Sequence, residues 1–147
     1  MKIAIGADHG GYALKEQVKQ TLQEETVHDI VDVGTYDEES CDYPDFARLV
    51  AEGVAEGRYD RGIMVDTTGI ASAIVGNKVS GVRATCPTNE FTAMSARSHN
   101  NSNMLVLGSE QMGVNRADRI VDIWLNTEFD GGRHQRRVDK INQLDSN

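Results

Sequence analysis

The sequence predicts an α/β fold, a single domain built on a five-stranded parallel sheet with helices packed on both faces. Two observations carry this. Five short β-rich runs recur along the 147 residues: KIAIGAD (2–8), HDIVDVGT (28–35), DRGIMVD (60–66), GVRATCP (81–87) and NMLVLGS (103–109). Stretches with apolar residues at helical spacing separate them. Strands that alternate with helices form right-handed βαβ units, and those units build a parallel sheet.

The helices follow in order. After the first run, Leu14, Val18, Leu22 and then Val27 recur at near-helical spacing. After the second, Phe46, Val50 and Val54 stand four apart, with Tyr43 three residues ahead of Phe46. The third run ends in Asp66-Thr67-Thr68-Gly69, residues suited to a strand-to-helix turn. The fourth leads into TNEFTAMSARSHNN (88–101), a helix expected to end near His99. Val114, Ala117, Val121 and Trp124-Leu125 form the stripe after the fifth. A Gly-Gly turn then opens a basic C-terminal segment, 131–147, expected to pack on a partner subunit. No repeat, low-complexity tract or linker marks a second domain, so residues 1–147 are read as one unit.

A hydrophobic content of 39% with 26% charged residues fits an ordinary folded domain with a real core. The formal net charge of -8 argues against broad binding to nucleic acid or an anionic membrane. Any anionic ligand must therefore meet a local cationic cluster. The apolar run at the N-terminus is too short for a signal peptide or a spanning helix. Cys41 and Cys86 form no paired motif, and a reducing cytoplasm is the expected location.

A parallel sheet presents ligand groups at the carboxyl ends of its strands. Here those ends hold Asp8-His9, Gly34-Thr35, Asp66-Thr67-Thr68-Gly69, Cys86 and Gly108-Ser109. Asp66 admits two readings, a helix cap that accepts backbone N–H bonds or a base at the mouth of the sheet. Gly10-Gly11 after Asp8-His9 lets a ligand approach the backbone closely. His99 by itself reads as a helix C-terminal residue favoured by the helix dipole. Arg133, His134, Arg136 and Arg137 are the dense cationic cluster of this acidic chain. Arg133 and Arg137, four apart, share a helix face suited to one phosphate. No metal is expected, because His9, His28, His99 and His134 show no close ligand spacing and neither H-x-x-x-H nor C-x-x-C occurs. No cofactor is expected either: GADHGGYALK is not a dinucleotide fingerprint, and no Walker A motif is present.

Several ordered segments together resemble one family, that of ribose-5-phosphate isomerase type B and the galactose-6-phosphate isomerase subunits A and B. They are IGADHGGYALK, VDVGTYDEESCDYPDFA, GNKVSGVRAT, SARSHNNSNMLVLGS and EFDGGRHQRRV, spread over nearly the whole chain. The resemblance implies a Rossmann-like three-layer sandwich and a cofactor-free aldose–ketose isomerase acting on a sugar phosphate. It also implies a homodimer or homotetramer whose active sites lie between subunits, or a hetero-oligomer with a related subunit. By the resemblance, Asp8 and His9 contact the sugar phosphate and His99 assists ring opening as a proton donor. Asn100, Arg133 and Arg137 line the site, the arginines holding phosphate. The loop of Thr67, Thr68, Gly69, Ile70 and Ala71 supplies the anion hole for the enediolate, with Thr68 counted beside Asp66 and His99 as catalytic.

The chain departs from the type B pattern C-G-T-G-x-G, reading D-T-T-G-I-A instead. Asp66 thus stands where the type B pattern has its cysteine base, and Thr67 and Ala71 stand where it has glycines. Some type B enzymes use a glutamate slightly further along, where this chain offers Ser72, and Glu110 occupies a position where many carry arginine. An Asp in the first slot is also a habit of the galactose-6-phosphate isomerase A subunit, which usually lacks the histidine present here as His9. A carboxylate base is chemically sound for enolisation. A rival from another class, a phospho-acceptor receiver domain, shares the alternating pattern and an Asp after the third strand. It also wants an acidic pair after the first strand and a lysine after the fifth, where this chain has Ala7-Asp8-His9 and Gly108-Ser109.

Overall fold

The computed structural model describes residues 1–25 and 27–146. Its five strands are β1 (Lys2–Ala7), β2 (Asp29–Asp32), β3 (Arg61–Asp66), β4 (Ala84–Thr85) and β5 (Met104–Gly108). All pair in parallel, in the order β2-β1-β3-β5-β4. The helices are α1 (Tyr12–Glu25), α2 (Tyr43–Ala55), α3 (Ile70–Gly76), α4 (Glu90–Ser98), α5 (Val114–Asn126) and α6 (Arg133–Asn142), followed by a 3-10 turn, Gln143–Ser146. Among the described residues no helix is long and apolar enough to cross a membrane.

Strand side chains alternate between faces, and the core divides accordingly. Ile3, Ile5, Ala7, Ile63, Val65, Leu105 and Leu107 point to one face, under α1, α4 and α5. Ala4, Met64, Met104 and Val106 point to the other, under Ala47, Val50 and Ala51 of α2 and the partly buried Ala73 and Val75 of α3. Strands apolar on both faces are what a sheet covered on both sides requires. Trp124 of α5 is completely buried, its indole N–H donating to the Ser102 hydroxyl at 3.3 Å. The result is the three-layer α/β sandwich expected from the sequence.

Two details differ from the sequence pattern. Val27, counted with the first helical stripe, lies beyond α1 and is 99% exposed. The spacing was near-helical by coincidence, and Leu14, Val18 and Leu22 alone carry the buried face. The run 81–87 yields only two strand residues. Gly81 takes a φ of 85°, and the Asn77 and Asn103 side chains, not a strand partner, engage the backbone N–H groups of Ala84 and Arg83. As an edge strand, β4 also has only β5 to pair with.

One buried cation ties α1 to the end of β2. Lys15 is fully buried, and its Nζ donates to both Asp32 carboxylate oxygens at 2.8 Å and to the Thr35 carbonyl at 2.6 Å. Burial pushes the Asp32 carboxyl up, but hydrogen bonds from Lys15 and Lys19 outweigh it and hold the group below its ordinary value. A depressed carboxylate contributes stability that is complete above its unfolded value and is lost as pH falls through the folded one. Replacing Lys15 by Met leaves Asp32 short of its main partner in a poorly solvated place. The expected cost is about 3 kcal/mol, read as a lower urea midpoint at neutral pH, with a smaller difference between variant and parent once Asp32 is protonated.

Candidate active site

The β1–β3 neighbourhood is where the sheet order reverses direction, the usual place for a ligand crevice. The register pairs Ala7 with Val65, so the next residues, Asp8 and Asp66, emerge side by side. Both are buried, at 6% and 3% exposure. Asp8 Oδ1 accepts the Gly11 N–H at 2.9 Å. Burial pushes the Asp8 carboxyl up, the Gly11 N–H lowers it and the Asp66 charge raises it, for a net upward shift. A Cβ at Gly11 would collide with the Val65 carbonyl, so only glycine lets this turn lie on the end of β3.

Asp66 is held by three donors. Its Oδ1 accepts the Gly69 N–H in a short hydrogen bond, and its Oδ2 accepts the Ser72 N–H at 3.1 Å and the Ser72 hydroxyl at 2.6 Å. The carboxylate thus caps the turn that opens α3, which was one of its two sequence readings. Gly69 itself has a φ of 81°, a left-handed conformation that lets the chain double back into the helix. With Asp8, Tyr43, Thr67, Thr68 and Ala71, Asp66 lines a cavity of about 200 Å³. The 109–111 turn braces the loop: the backbone N–H groups of Ser109 and Glu110 donate to the Asp66 and Thr67 carbonyls, and Gln111 Nε2 donates to the Thr68 carbonyl at 2.9 Å. Thr67 and Thr68 are exposed, as is Ile70 at 60%. His9 is exposed beside this cavity's Asp8, its Nδ1 within 3.2 Å of the Cys41 backbone. Cys86 comes from the end of β4 to sit over Gly69, and burial followed by the Asp66 charge pushes its thiol up.

The remaining candidates lie at the other edge of the sheet. His99 caps the C-terminal end of α4, which runs back from the end of β4 to the start of β5. Its ring stacks on His134 of α6, with centroids 4.2 Å apart and planes 7° from parallel, and its Nδ1 meets the Ser95 hydroxyl at 3.1 Å. Arg133 and Arg137 are exposed on α6, one turn apart on either side of the buried His134. Asn100 is exposed next to His99. The six residues of β3 separate this cluster from Asp66, a distance of about 20 Å. The candidate residues therefore fall into two groups: Asp8, His9, Asp66, Thr67, Thr68, Gly69, Ile70 and Ala71 at one edge, and His99, Asn100, Arg133 and Arg137 at the other.

Sequence reasoning missed several members of both groups. Tyr43 reaches the first cavity from the start of α2, and Ser72 reaches Asp66 from the first turn of α3. At the second edge, three arginines grip the turn after His99. Arg83 Nε donates to the carbonyls of Asn100 and Asn101 at 3.1 and 3.2 Å, and Arg97 and Arg61 both donate to the Ser102 carbonyl. Arg97 is brought down to about 10, by burial first and then by Arg61. His99, Asp130 and His134 also bring ligand-capable atoms within 4.8 Å of one another, a grouping that sequence spacing did not reveal. Parallel stacking sends the ring lone pairs along parallel planes, not toward one point, and Arg133 and Arg137 disfavour a cation there. Among these residues only the His134 and Arg133 to Arg137 run left a local signal, as the lone basic cluster of the chain. A larger cavity of about 320 Å³, between α1 and α5, contains none of the candidate residues.

The basic C-terminal segment docks on its own chain through Val138, through a bond from Arg83 to Asn142 at 3.0 Å, and through Asp145, which accepts the Gly81 N–H at 2.8 Å. Its arginines point away from these anchors, exposed.

Comparison with known proteins identifies the family and the fold. Residues 3–141 match the family model described as Ribose/Galactose Isomerase. Ribose-5-phosphate isomerase B of Escherichia coli K12 is 41% identical over 144 residues, spanning 98% of this chain and 96% of the relative. The solved structure of Clostridium thermocellum ribose-5-phosphate isomerase B superposes with a TM-score of 0.97 at 46% identity, covering 99% of this chain and 98% of that one. The Mycoplasma genitalium enzyme with bound ribulose 5-phosphate superposes at 0.94 with 40% identity, covering 99% and 96% of the two chains. The chain belongs to the ribose/galactose isomerase family and is, by class, a sugar-phosphate isomerase.

Electrostatics at the second group give a measurable signature. Burial first, and then His99, Arg133 and Arg137, hold His134 below its ordinary value of 6.5. The associated stability is complete above that unfolded value and is lost as pH falls through the folded one. Arg137→Gln removes a nearby cation, so the imidazole C2 proton of His134 should titrate at higher pH in an NMR titration than in the parent. An unchanged midpoint would mean that the guanidinium does not face the ring.

Proposed function

We propose that this chain interconverts a phosphorylated aldose and its ketose, ribose 5-phosphate and ribulose 5-phosphate in the first instance, through an enediolate and without a cofactor. Asp66 is the proton-transfer base and His99 the ring-opening donor. The observation that carries this reading is the buried Asp66 carboxylate on the wall of a small cavity that Asp8, Thr67 and Thr68 also line.

The chemistry follows from which lone pairs remain. Asp66 Oδ2 takes two donors, whereas Oδ1 takes one, so Oδ1 has the lone pair that accepts a proton. With the ring opened, the C2–H bond breaks toward Oδ1, its electron pair forms C1=C2, and the carbonyl electrons move to O1. Donors of the 67–71 loop stabilise that oxyanion. Asp66 then delivers the proton to C1 while the O2 proton shifts to O1, leaving a carbonyl at C2. Arg133 and Arg137, with His9, hold the phosphate, which fixes the reacting carbons over the carboxylate.

Because the two groups lie at opposite edges of the sheet, a second copy completes the centre, its His99 edge facing the Asp66 edge of the first. The unpaired Cys41 and Cys86 suit a reducing cytoplasm for this work. One observation favours a second reading. Asp66 is bonded as a cap would be, which suits a subunit resembling the galactose-6-phosphate isomerase A subunit, with the base supplied by a related partner.

The experiment is to incubate the purified chain alone with a panel of phosphorylated aldoses and follow ketose formation. Turnover by the homo-oligomer supports the first reading, and none without a partner supports the second. Asp66→Asn should keep the fold and lose at least about a hundredfold in kcat, the usual scale for a missing general base. Asp66→Asn and His99→Asn proteins, each inactive alone, should on mixing and exchange recover about one quarter of parental activity. Half of the dimers are then mixed, and each has one intact composite site of two. No recovery would place the whole site within one chain.

A further inference from the structure

We propose that Ser72 is a positioning residue for the base, committing one oxygen of Asp66 so that the other faces substrate; this rests on the assignment of Asp66 above. Ser72 is completely buried in the first turn of α3 and gives Asp66 two hydrogen bonds, both to Oδ2, from its backbone N–H at 3.1 Å and its hydroxyl at 2.6 Å. Two donors fill the two lone pairs of one carboxylate oxygen. The Gly69 N–H takes one lone pair of Oδ1. The carboxylate plane is thereby fixed by donors from two points of the loop, and a single basic lone pair is left.

Orientation matters because this base serves two carbons. It removes a proton from one carbon and returns it to its neighbour, so the same oxygen must reach both without the carboxylate turning. A carboxylate rotates about its Cβ–Cγ bond unless something holds it. The surroundings offer little else to do so: Asp8 comes from the end of β1 and Cys86 from the end of β4, a like charge and a weak donor. The Ser72 backbone N–H would remain in any variant. The hydroxyl is the component that the choice of residue controls.

The test is steady-state kinetics on Ser72→Ala, Ser72→Cys and Ser72→Thr, with thermal unfolding to verify that each is folded. Cysteine keeps the volume but donates poorly, and threonine keeps the hydroxyl. Ala and Cys should lower kcat about tenfold with little change in KM, the scale of one lost hydrogen bond to a charged group. Thr should restore most of it. If threonine does not fold, the Cys variant against the parent decides alone. In an Asp66→Asn background the Ala and Cys substitutions should have no further effect on the residual rate. Retained kcat in both variants, a loss in KM alone, or the same loss in the Asp66→Asn background overturns the role of Ser72. Full turnover of Asp66→Asn itself, or none in the parent, overturns instead the reading on which it rests.

Discussion

The parallel pairing of β1, β3 and β5 is the constraint that places the candidate residues, and it separates them into two groups. Parallel strands deliver all of their carboxyl ends to one edge, and the helices that return between them deliver their C-terminal ends to the opposite edge. Asp8 and Asp66 meet because Ala7 and Val65 are in register. By the same rule His99, at the end of α4, is carried to the other side of the sheet. No loop adjustment within one chain brings a helix C-terminus to a strand C-terminus across the length of β3. A centre using both groups needs a second copy, or a related chain, laid edge to edge.

The two edges also differ in make-up, although Asp60, Glu128, Asp130 and Asp145 lie among the cations of the second. One has the buried acids Asp8 and Asp66 and the acidic run Asp37, Glu38, Glu39, Asp42 and Asp45 between β2 and the first turn of α2. At the other, Arg61, Arg83 and Arg97 are close enough to perturb one another, and Arg133 and Arg137 stand exposed above them. A chain of net charge -8 thus gathers five of its arginines at one edge of the sheet.

Much of this was legible in the chain because strands buried on both faces announce themselves as short apolar runs, and their ends then name the site. Asp8 and Asp66 were found that way. The stripe at Leu14, Val18 and Leu22 was also legible, whereas Val27 continued it in spacing only. Other features had no local signal. The stacking of His99 on His134 joins residues 35 apart, and the grip of Arg83, Arg97 and Arg61 on the 100–102 carbonyls joins a strand edge, a helix and a turn. Such contacts are decided by tertiary packing, which periodicity does not encode. The resemblance to known isomerases pointed to the candidate residues of both groups but not to their separation within one chain.

The bonds to Asp66 bear on why an aspartate can stand at the end of β3. Asp66 is 3% exposed, and a buried polar group without hydrogen-bond partners is costly. A thiol at the same position makes no such demand. The bonds from Gly69 and Ser72 are therefore the conditions under which Asp can occupy the end of β3 at all. Asp66 and Ser72 form one unit, a buried carboxylate and the residue whose hydroxyl and backbone N–H bond it. The same carboxylate can cap the turn and still keep a lone pair free on Oδ1, so its bonding as a cap is compatible with the base role proposed for it.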